Sequence, residues 1–285
     1  MLLGDGRTVG LRPVRPEDGP LLEDFYSRLS FESRRFRFFS GWRVDAETAA
    51  DFAAIADRGG FAVLAVAEED GVERVVGDVR WTRPSQVPGV PEMAIAIRDD
   101  YQRSGLGRVL LDVLASEAWA RGITTFAATL LTANLGMRRL IEDRGFAVVD
   151  HDDPNTVQVI MGTDGDPPPW PVAGEPVAGE RRPRVLVEGP GWWGREDERL
   201  LRHAGYDVLQ CLGPRRSQSC PLLAGDRCPL VEGADAVVLS VPPEYQGEML
   251  EAAHAARTPV PVVVRAGGGD RLLQEVAARI GEARQ

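Results

Sequence analysis

The sequence predicts a mixed α/β protein of two domains, and three observations support that fold class. The chain has 285 residues, of which 44% are hydrophobic, so it is long enough to bury two cores. Short apolar runs typical of strands alternate with segments whose apolar residues recur at the helical period. A stretch rich in proline and glycine divides these elements into two sets. We expect one domain over 1–163, a linker over 164–183 and a smaller domain over 184–285.

The composition excludes several classes of protein. All 33 basic residues are arginine, and the net charge of −10 argues against a nucleic-acid partner, because such proteins usually carry a clustered basic excess. No apolar run approaches the roughly 20 residues of a membrane span. No secretory leader is evident, and three cysteines do not suggest a disulfide framework. We therefore expect a cytoplasmic protein that contacts neither membrane nor nucleic acid.

The first half carries the signals of a sheet with its helices. Proline and acidic residues at 16–18 favour a helix start, and the turn at 68–71 joins two strands as a hairpin. Strands are expected over 8–11, 61–67, 74–81, 92–98, 123–130, 146–149 and 156–161. Helices are expected over 16–29, 31–39, 46–56, 105–121 and 134–144.

The most informative feature is a strand that runs through a glycine-containing turn directly into a helix. Gly105 and Gly107 let the backbone turn sharply and approach a ligand closely. Amides at the start of the helix favour an anion, and Gln102, Arg103 and Arg108 can add side-chain donors. The third glycine of a dinucleotide signature is absent, and the missing lysine excludes a Walker motif. We interpret the turn as a pyrophosphate cradle, with a plain strand–helix turn as the alternative.

Gln102-x-x-Gly105-x-Gly107 after a strand resembles the acetyl-CoA signature of the GNAT family of N-acetyltransferases. The order of elements agrees over roughly residues 1–163, and the run at 29–39 is similar to one in Pat-type bacterial protein lysine acetyltransferases. The resemblance implies an N-terminal GNAT acyl-CoA N-acyltransferase fold with a mixed central sheet. It also implies acetyl-CoA as the acyl donor.

The resemblance further implies roles for individual residues. Glu92 is the expected general base, which a lysine acceptor needs because its amine is protonated at neutral pH; an exposed glutamate at a strand start is the alternative. The backbone of Ile95, Ala96 and Ile97 would lie along the donor, with the Ala96 and Ile97 amides polarising the thioester carbonyl. The residues expected to hold the rest of acetyl-CoA are Gln102, Arg103, Ser104, Gly105, Leu106, Gly107, Arg108, Asn134 and Arg138.

Two positions near the end of the first domain bear on the chemistry. Asn134 is expected to cap a helix, and the resemblance implies that it also contacts the pantetheine arm. Ile141 occupies the position where many GNAT enzymes have the tyrosine that protonates the leaving thiolate. The sequence names no substitute for that acid.

Aromatic residues and arginines are interleaved in the segment 31–39. One interpretation makes this segment a wall of the acceptor site. We favour the other, in which Phe31, Phe36 and Phe39 belong to the core and the arginines form a solvated face.

The second half alternates strands and helices, which predicts a parallel sheet covered on both faces. It resembles a three-layer α/β/α flavodoxin-like or receiver-like domain, with a regulatory or recruiting role. Strands are expected over 184–188, 207–211, 236–241 and 260–264, and helices over 194–204, 244–257 and 271–280. Ser240 stands where a receiver has its phosphate-accepting aspartate, so phosphorylation is not expected. A ligand would bind at the C-terminal ends of the strands, near Gly189-Pro190-Gly191, Ser240 and Ala266-Gly267-Gly268-Gly269.

Cys211, Cys220 and Cys228 invite a metal hypothesis. Zinc sites normally show closer cysteine pairs and a fourth ligand, so we expect no metal. Buried thiols that pin a loop, or a redox-responsive pair, are the alternatives.

Three functions compete. The leading hypothesis is acetyl-CoA-dependent acetylation of protein lysine ε-amines by direct attack, with a glutamate base. The second is N-acetylation of a small-molecule amine. The third is a non-catalytic acyl-CoA sensor, which the isoleucine at position 141 keeps open.

Overall fold

The structure, a computed structural model, describes residues 1–83, 87, 89–142, 146–150, 155–163, 181–189, 191–211, 220–240, 247–265 and 269–283. Its strands and helices are mixed, as the sequence predicts. The chain forms two compact units, Met1–Leu140 and Ile141–Gln285.

The first unit contains strands in the predicted order. They are β1 (Gly10–Pro13), β2 (Phe61–Glu69), β3 (Val72–Thr82), β4 (Glu92–Ile97) and β5 (Thr125–Leu131). Neighbouring strands from β1 to β4 pair antiparallel, whereas β4 and β5 are parallel. The predicted hairpin joins β2 to β3 through Asp70 and Gly71, which both have positive φ.

Side chains cap some of the helices of this unit. They are α1 (Gly19–Ser27), α2 (Phe31–Phe38), α3 (Ala46–Ala53), α4 (Leu106–Trp119) and α5 (Leu135–Glu142). α1 follows a 3-10 turn at Pro16–Asp18, where proline and acids predict a helix start. The side chains of Ser30 and Asp45 cap α2 and α3, because each accepts a hydrogen bond from an amide of the first turn.

Helices cover both faces of the first sheet. The core beneath α1 and α3 contains Leu22, Phe25, Tyr26, Leu64 and Ala96. The opposite face receives the predicted apolar stripe of α4, buried at Leu106, Leu110 and Leu114. A Cβ on Gly77 of β3 would lie 2.8 Å from Cδ1 of Leu110, so glycine lets α4 approach the sheet closely.

The second unit contains a four-stranded parallel arrangement. Its strands are β6 (Phe146–Asp150), β7 (Thr156–Gly162), β8 (Arg184–Glu188), β9 (Asp207–Cys211), β10 (Ala236–Leu239) and β11 (Val262–Val264). The last four are parallel in the order β9-β8-β10-β11. Its helices are α6 (Gly191–His203), α7 (Pro221–Ala224), α8 (Pro229–Glu232), α9 (Gly247–Arg257) and α10 (Gly269–Ala283).

β6 has partners that the sequence does not reveal. It pairs antiparallel with β7 and also with β9, where Ala147 is opposite Cys211. Alternation within a strand identifies the strand but not its neighbour, so β6 and β7 were expected to close the first domain instead. The domain limits at 163 and 184 stay a prediction, and most of the expected linker, 164–180, lies outside the described residues.

Candidate active site

The edge where β4 meets β5 opens a gap in the first sheet. The two strands are paired at one register position, Glu92 opposite Ala127, and all residues of both strands are described. The Ala127 amide donates to the carbonyl of Pro91 at 2.8 Å, just before β4 begins. Beyond Glu92, β4 keeps its antiparallel pairing with β3 as far as Ile97. Beyond this pair, β5 provides no further register partner to the β4 edge that faces it.

The register decides which amides face this gap. The Arg98 amide donates to the Val76 carbonyl at 3.0 Å, so the backbone of Arg98 points toward β3. Directions alternate along an antiparallel pair, which places the Ala96 amide on the β3 side as well. The amides of Ile95 and Ile97 consequently face the gap. Of the two amides expected to polarise a carbonyl, the register favours Ile97 over Ala96.

The turn after β4 has the conformation of an anion cradle. Arg103 has φ +60 and Gly105 has φ +90, the left-handed region that favours glycine. The Ser104 hydroxyl donates to the Tyr101 carbonyl at 2.7 Å, which fixes the turn from inside. The Leu106 amide, the first of α4, donates to the Ser104 hydroxyl at 3.4 Å. The helix N-terminus that begins there favours an anion. A Cβ on Gly107 would lie 3.2 Å from Cδ1 of Ile97, so a larger residue there would require the Ile97 side chain to shift.

These features fit the diphosphate and thioester of acetyl-CoA. Gly105 lies in open space, so a ligand can approach its backbone. Arg103 and Arg108 are exposed beside the turn, and guanidinium groups match phosphate geometry. The unpaired amides of β4 lie at the other end of the same turn. The predicted residues from Glu92 to Arg108 thus lie along one continuous edge of the first unit.

Gln102 differs from its predicted role. Its side-chain amide donates to the Ile97 carbonyl at 3.1 Å and to the Ser33 hydroxyl at 3.0 Å. A glutamine amide carries only two N–H groups, so both are used within the protein. Gln102 therefore lies in the expected turn, but its donors point into the fold.

Two serines and an aspartate join this turn without having been predicted from the sequence. Ser30 and Ser33, at the start of α2, both donate to the carboxylate of Asp99. Burial raises the pKa of Asp99, but hydrogen bonds from Ser30 and Ser33 outweigh it and hold this pKa below its usual value. The signal was present, since serine at a helix start is a capping pattern, but its partner is distant in the sequence.

Glu92 lies half-buried at the mouth of the gap. Its cross-strand partner on β3 is Thr82, and Ala94 is opposite Arg80, so these side chains share one face of the sheet. That face is the one covered by α1 and α3. The carboxylate therefore lies beside the gap on the face opposite α4.

A buried polar cluster lies on the same face. Asp78 accepts hydrogen bonds from the Tyr26 hydroxyl at 2.7 Å and from the Arg80 guanidinium. All three side chains are buried, and Arg80 also packs over the ring of Phe52 with its carbon centre 4.6 Å from the centroid. Burial raises the pKa of Tyr26, and the Asp78 charge acts in the same direction. The phenol therefore stays protonated and donates to the carboxylate.

A network of ion pairs involves the segment between β4 and the glycine turn. Arg98 donates to Glu69 and to Asp100, the latter at 2.7 Å from its Nε. Hydrogen bonds from Arg98 lower the pKa of both carboxylates. Tyr101 lies beneath the guanidinium, 4.8 Å from it to the ring centroid. The network fixes the segment between β4 and the glycine turn.

The α5 positions confirm the predicted cap. The Asn134 side chain accepts a hydrogen bond from the Met137 amide at 3.0 Å. The main-chain carbonyl of Asn134 accepts one from the Arg138 amide at 3.1 Å. Arg138 therefore lies one turn along α5 from Asn134. Ile141 is fully buried, so this position offers no acid to a leaving thiolate.

The favoured interpretation of segment 31–39 is wrong for three residues. Phe31 is 64% exposed and Phe39 is 46% exposed, so neither belongs to the core. Arg34 is buried and donates to the Leu29 carbonyl. The physical reason is the helix register, because the aromatic side chain that α2 packs against the core is Phe38.

The second unit also has buried polar groups at the C-terminal ends of its parallel strands. The Ser240 hydroxyl, after β10, donates to Asp197 of α6 at 2.5 Å, and Arg265, after β11, donates to Asp197 at 2.7 Å. Glu188, at the end of β8, lies 3.0 Å from Nε2 of His254. Polar groups thus gather where a parallel sheet binds ligands. Much of the loop sequence expected around them, including 266–268, lies outside the described residues.

Two of the three cysteines, Cys220 and Cys228, stand just before one-turn helices that were not predicted from the sequence. Cys220 precedes α7 and Cys228 precedes α8, each followed by proline at the first helical position. Burial raises the pKa of both thiols, that of Cys228 to about 11. Among the described residues, no group of three or more His, Cys, Asp or Glu side chains is arranged to hold a metal ion.

Helix length bears on membrane insertion. Within the described ranges, every helix is too short or too polar to cross a membrane.

Comparison with known proteins finds relatives of the N-terminal part of the chain. A family model described as an acetyltransferase (GNAT) domain matches residues 8–147. An acetyltransferase of Pseudomonas aeruginosa is 35% identical over 159 residues, which are 55% of this chain and 84% of that protein. The acetyltransferase Pat of Mycolicibacterium smegmatis is 29% identical over 173 residues, which are 58% of this chain and 47% of that protein.

A solved structure agrees with these matches. The GNAT domain of S. lividans PAT is 28% identical, with a TM-score of 0.50, and the match covers 57% of this chain and 94% of that one. This chain spans about half of the Mycolicibacterium relative. GNAT acetyltransferases use acetyl-CoA as the acyl donor, which the cradle and the unpaired strand edge fit. The family model and the Pseudomonas relative together show that the chain belongs to the GNAT family of acetyltransferases.

Proposed function

We propose that this chain acetylates the ε-amine of lysine side chains in other proteins, with Glu92 as the general base. The observation that carries the proposal is the position of Glu92 at the point where β4 and β5 part. The likeness to proteins named Pat supports a protein acceptor.

The chemistry needs a base and an oxyanion site, and β4 offers both. Acetyl-CoA supplies an activated acetyl group on a good leaving thiolate. The half-buried Glu92 takes a proton from the incoming ammonium, directly or through water, so that a neutral amine attacks the thioester carbon. The amide of Ile97 faces the gap and can stabilise the carbonyl oxygen as charge develops on it.

The diphosphate end is assigned to the turn and the start of α4. The dipole at this helix N-terminus favours an anion. The backbone that would contact the diphosphate is that of Ser104, Gly105, Leu106 and Gly107. The exposed Arg103 and Arg108 supply side-chain charge. Since Ile141 is buried, the departing thiolate takes its proton from elsewhere, for which solvent suffices.

The second unit is proposed to be a flavodoxin-like domain that regulates the enzyme or recruits its substrate. Its strand order β9-β8-β10-β11 is that of the first four strands of a flavodoxin-like sheet. We retain the domain limits at 163 and 184. A cytoplasmic location fits the three free cysteines, because reducing compartments keep thiols unpaired.

A comparison of acceptors tests the proposal. The purified chain is incubated with acetyl-CoA and, side by side, with lysine-containing proteins, lysine peptides or small amines, and CoA release is measured. We expect release with proteins or peptides and acetylated lysines by mass spectrometry. Release with small amines alone would make the chain a small-molecule acetyltransferase. Tight acetyl-CoA binding without release under any condition would make it an acyl-CoA sensor.

A further inference from the structure

The start of α2 is hydrogen-bonded to Asp99, the second residue after β4. The Ser30 amide and hydroxyl donate to Asp99 at 2.9 and 2.6 Å, and the Ser33 hydroxyl donates to it at 2.8 Å. The Ser30 oxygen also accepts from the Ser33 amide at 3.1 Å, which is the helix cap. One carboxylate therefore holds two serines of α2 against the end of the strand.

The chain of hydrogen bonds continues into the donor site in one direction. Ser33 gives its only hydroxyl proton to Asp99, so its oxygen is left to accept from Gln102 at 3.0 Å. The second N–H of Gln102 donates to the Ile97 carbonyl at 3.1 Å. The Ile97 amide lies on the same side of β4 as its carbonyl. Asp99 thus orients Ser33, Ser33 orients Gln102, and Gln102 holds Ile97.

We propose that Ser30, Ser33 and Asp99 form a latch that positions Gln102 and, through it, the Ile97 backbone. Gln102 is then a positioning residue of the acyl-donor site and not a ligand of the diphosphate. The inference rests on the proposed donor site, and it adds α2 to the parts that shape it. Hydrogen bonds also hold the pKa of Asp99 below its usual value, so the latch is charged at neutral pH.

A double-mutant cycle tests the latch through the Kd of acetyl-CoA, measured by titration calorimetry on the full chain. Ser33→Ala and Gln102→Ala should each weaken binding about threefold to tenfold, the size of one or two net hydrogen bonds. The double variant should bind no more weakly than the weaker single variant, because both remove one chain of contacts. Multiplying effects would mean that Gln102 contacts the donor directly and would overturn the proposal.

Three further variants test whether the effect on acetyl-CoA binding is specific to the latch. Ser33→Thr keeps the hydroxyl and should bind as the wild type does. Asp99→Asn, a second latch variant, should weaken acetyl-CoA binding as Ser33→Ala does. Asp45→Ala removes the cap of α3, whose side chain accepts from Thr48 at 2.9 Å away from the donor site. It should lower the melting temperature and leave the Kd unchanged.

One comparison separates this inference from the proposed donor site. Gly105→Val places a side chain at φ +90 in the cradle and should weaken binding whatever the latch does. If it weakens binding and the latch variants do not, the latch is wrong and the donor site stands. If Gly105→Val also leaves the Kd unchanged, the donor site itself is misplaced.

Discussion

Glu92 lies opposite Ala127 at the register position that joins β4 to β5. The sheet is continuous up to this pair and open beyond it. A carboxylate on the last paired residue is held by the sheet, while the space beyond it remains for two substrates. The same pairing that ends the sheet therefore fixes the distance between the proposed base and the unpaired amides of Ile95 and Ile97.

Glu92→Gln should lower turnover about a hundredfold or more, because a general base contributes a factor of this order. The amide keeps the shape of the side chain but cannot take the proton. Acetyl-CoA binding should remain close to wild type, since Glu92 lies on the acceptor side. Steady-state CoA release with an accepted amine gives the rate and calorimetry gives the Kd. Unchanged turnover would remove Glu92 from the mechanism.

Gly105→Ala should cost about 1 kcal/mol of stability, because φ +90 disfavours a side chain, and should also weaken acetyl-CoA binding. Gly71→Ala is the matched control. Gly71 has φ +75 in the β2–β3 hairpin, and a Cβ there would also meet open space. Both variants should lose similar stability in urea unfolding. Equal Kd values for the two would show that the Gly105 turn does not bind the donor.

The strand, glycine turn and helix from β4 to α4 were predictable from the sequence because their determinants are local, whereas their binding of the donor stays a prediction. The glycines, the strand before them and the apolar stripe of α4 all lie within one short segment, and the structure places them as expected. The latch was not predictable, because Ser30 and Asp99 are 69 residues apart and a local capping pattern does not identify a distant partner. Likewise, the neighbours of β6 depend on tertiary pairing and not on its own sequence.

The buried cluster on β3 gives a prediction about stability. Asp78→Ala should destabilise the first unit by about 3–5 kcal/mol, because it leaves the Arg80 charge and the Tyr26 hydroxyl buried without their acceptor. The double variant Asp78→Leu with Arg80→Met should be less destabilised than Asp78→Ala alone, since no unpaired charge remains. Urea unfolding measures both.

Two control variants bracket this result. Tyr26→Phe removes one neutral donor and should cost about 1 kcal/mol. Arg58→Ala breaks the exposed pair with Asp51 and should barely move the unfolding midpoint. If Asp78→Ala behaved like Arg58→Ala, the cluster would not contribute to stability.

Acid should destabilise the first unit by protonating Glu69 and Asp100, the two carboxylates that accept hydrogen bonds from Arg98. The folded pKa values of Glu69 and Asp100 lie below their ordinary values near 4. Such groups stabilise the fold above the unfolded pKa, and this contribution is lost as the pH falls through the folded pKa. The melting temperature should therefore fall from about pH 4 downward, and Arg98→Met should make that fall shallower. Arg28→Met, which breaks a surface pair with Asp24, should keep the wild-type slope.

Asp197 should be a key stabilising residue of the second unit. It is fully buried and accepts from both Ser240 and Arg265. Asp197→Ala should lower the melting temperature of this unit more than Ser240→Ala, because it unpairs a partly buried guanidinium as well as a hydroxyl. Calorimetric scans that resolve the units would show it, and the reverse order would mean that Ser240 has another partner.

The absence of lysine yields a prediction about self-modification. A lysine acetyltransferase that contains lysines can acetylate itself, but all 33 basic residues here are arginine. Guanidinium groups stay protonated near neutral pH and offer no neutral amine. In this sequence the remaining primary amine is that of Met1, which donates to the Val9 carbonyl. After incubation with acetyl-CoA alone, the intact mass should therefore rise by at most one acetyl group. Several added groups would show acylation of another residue type, which an enzyme restricted to amine acceptors would not produce.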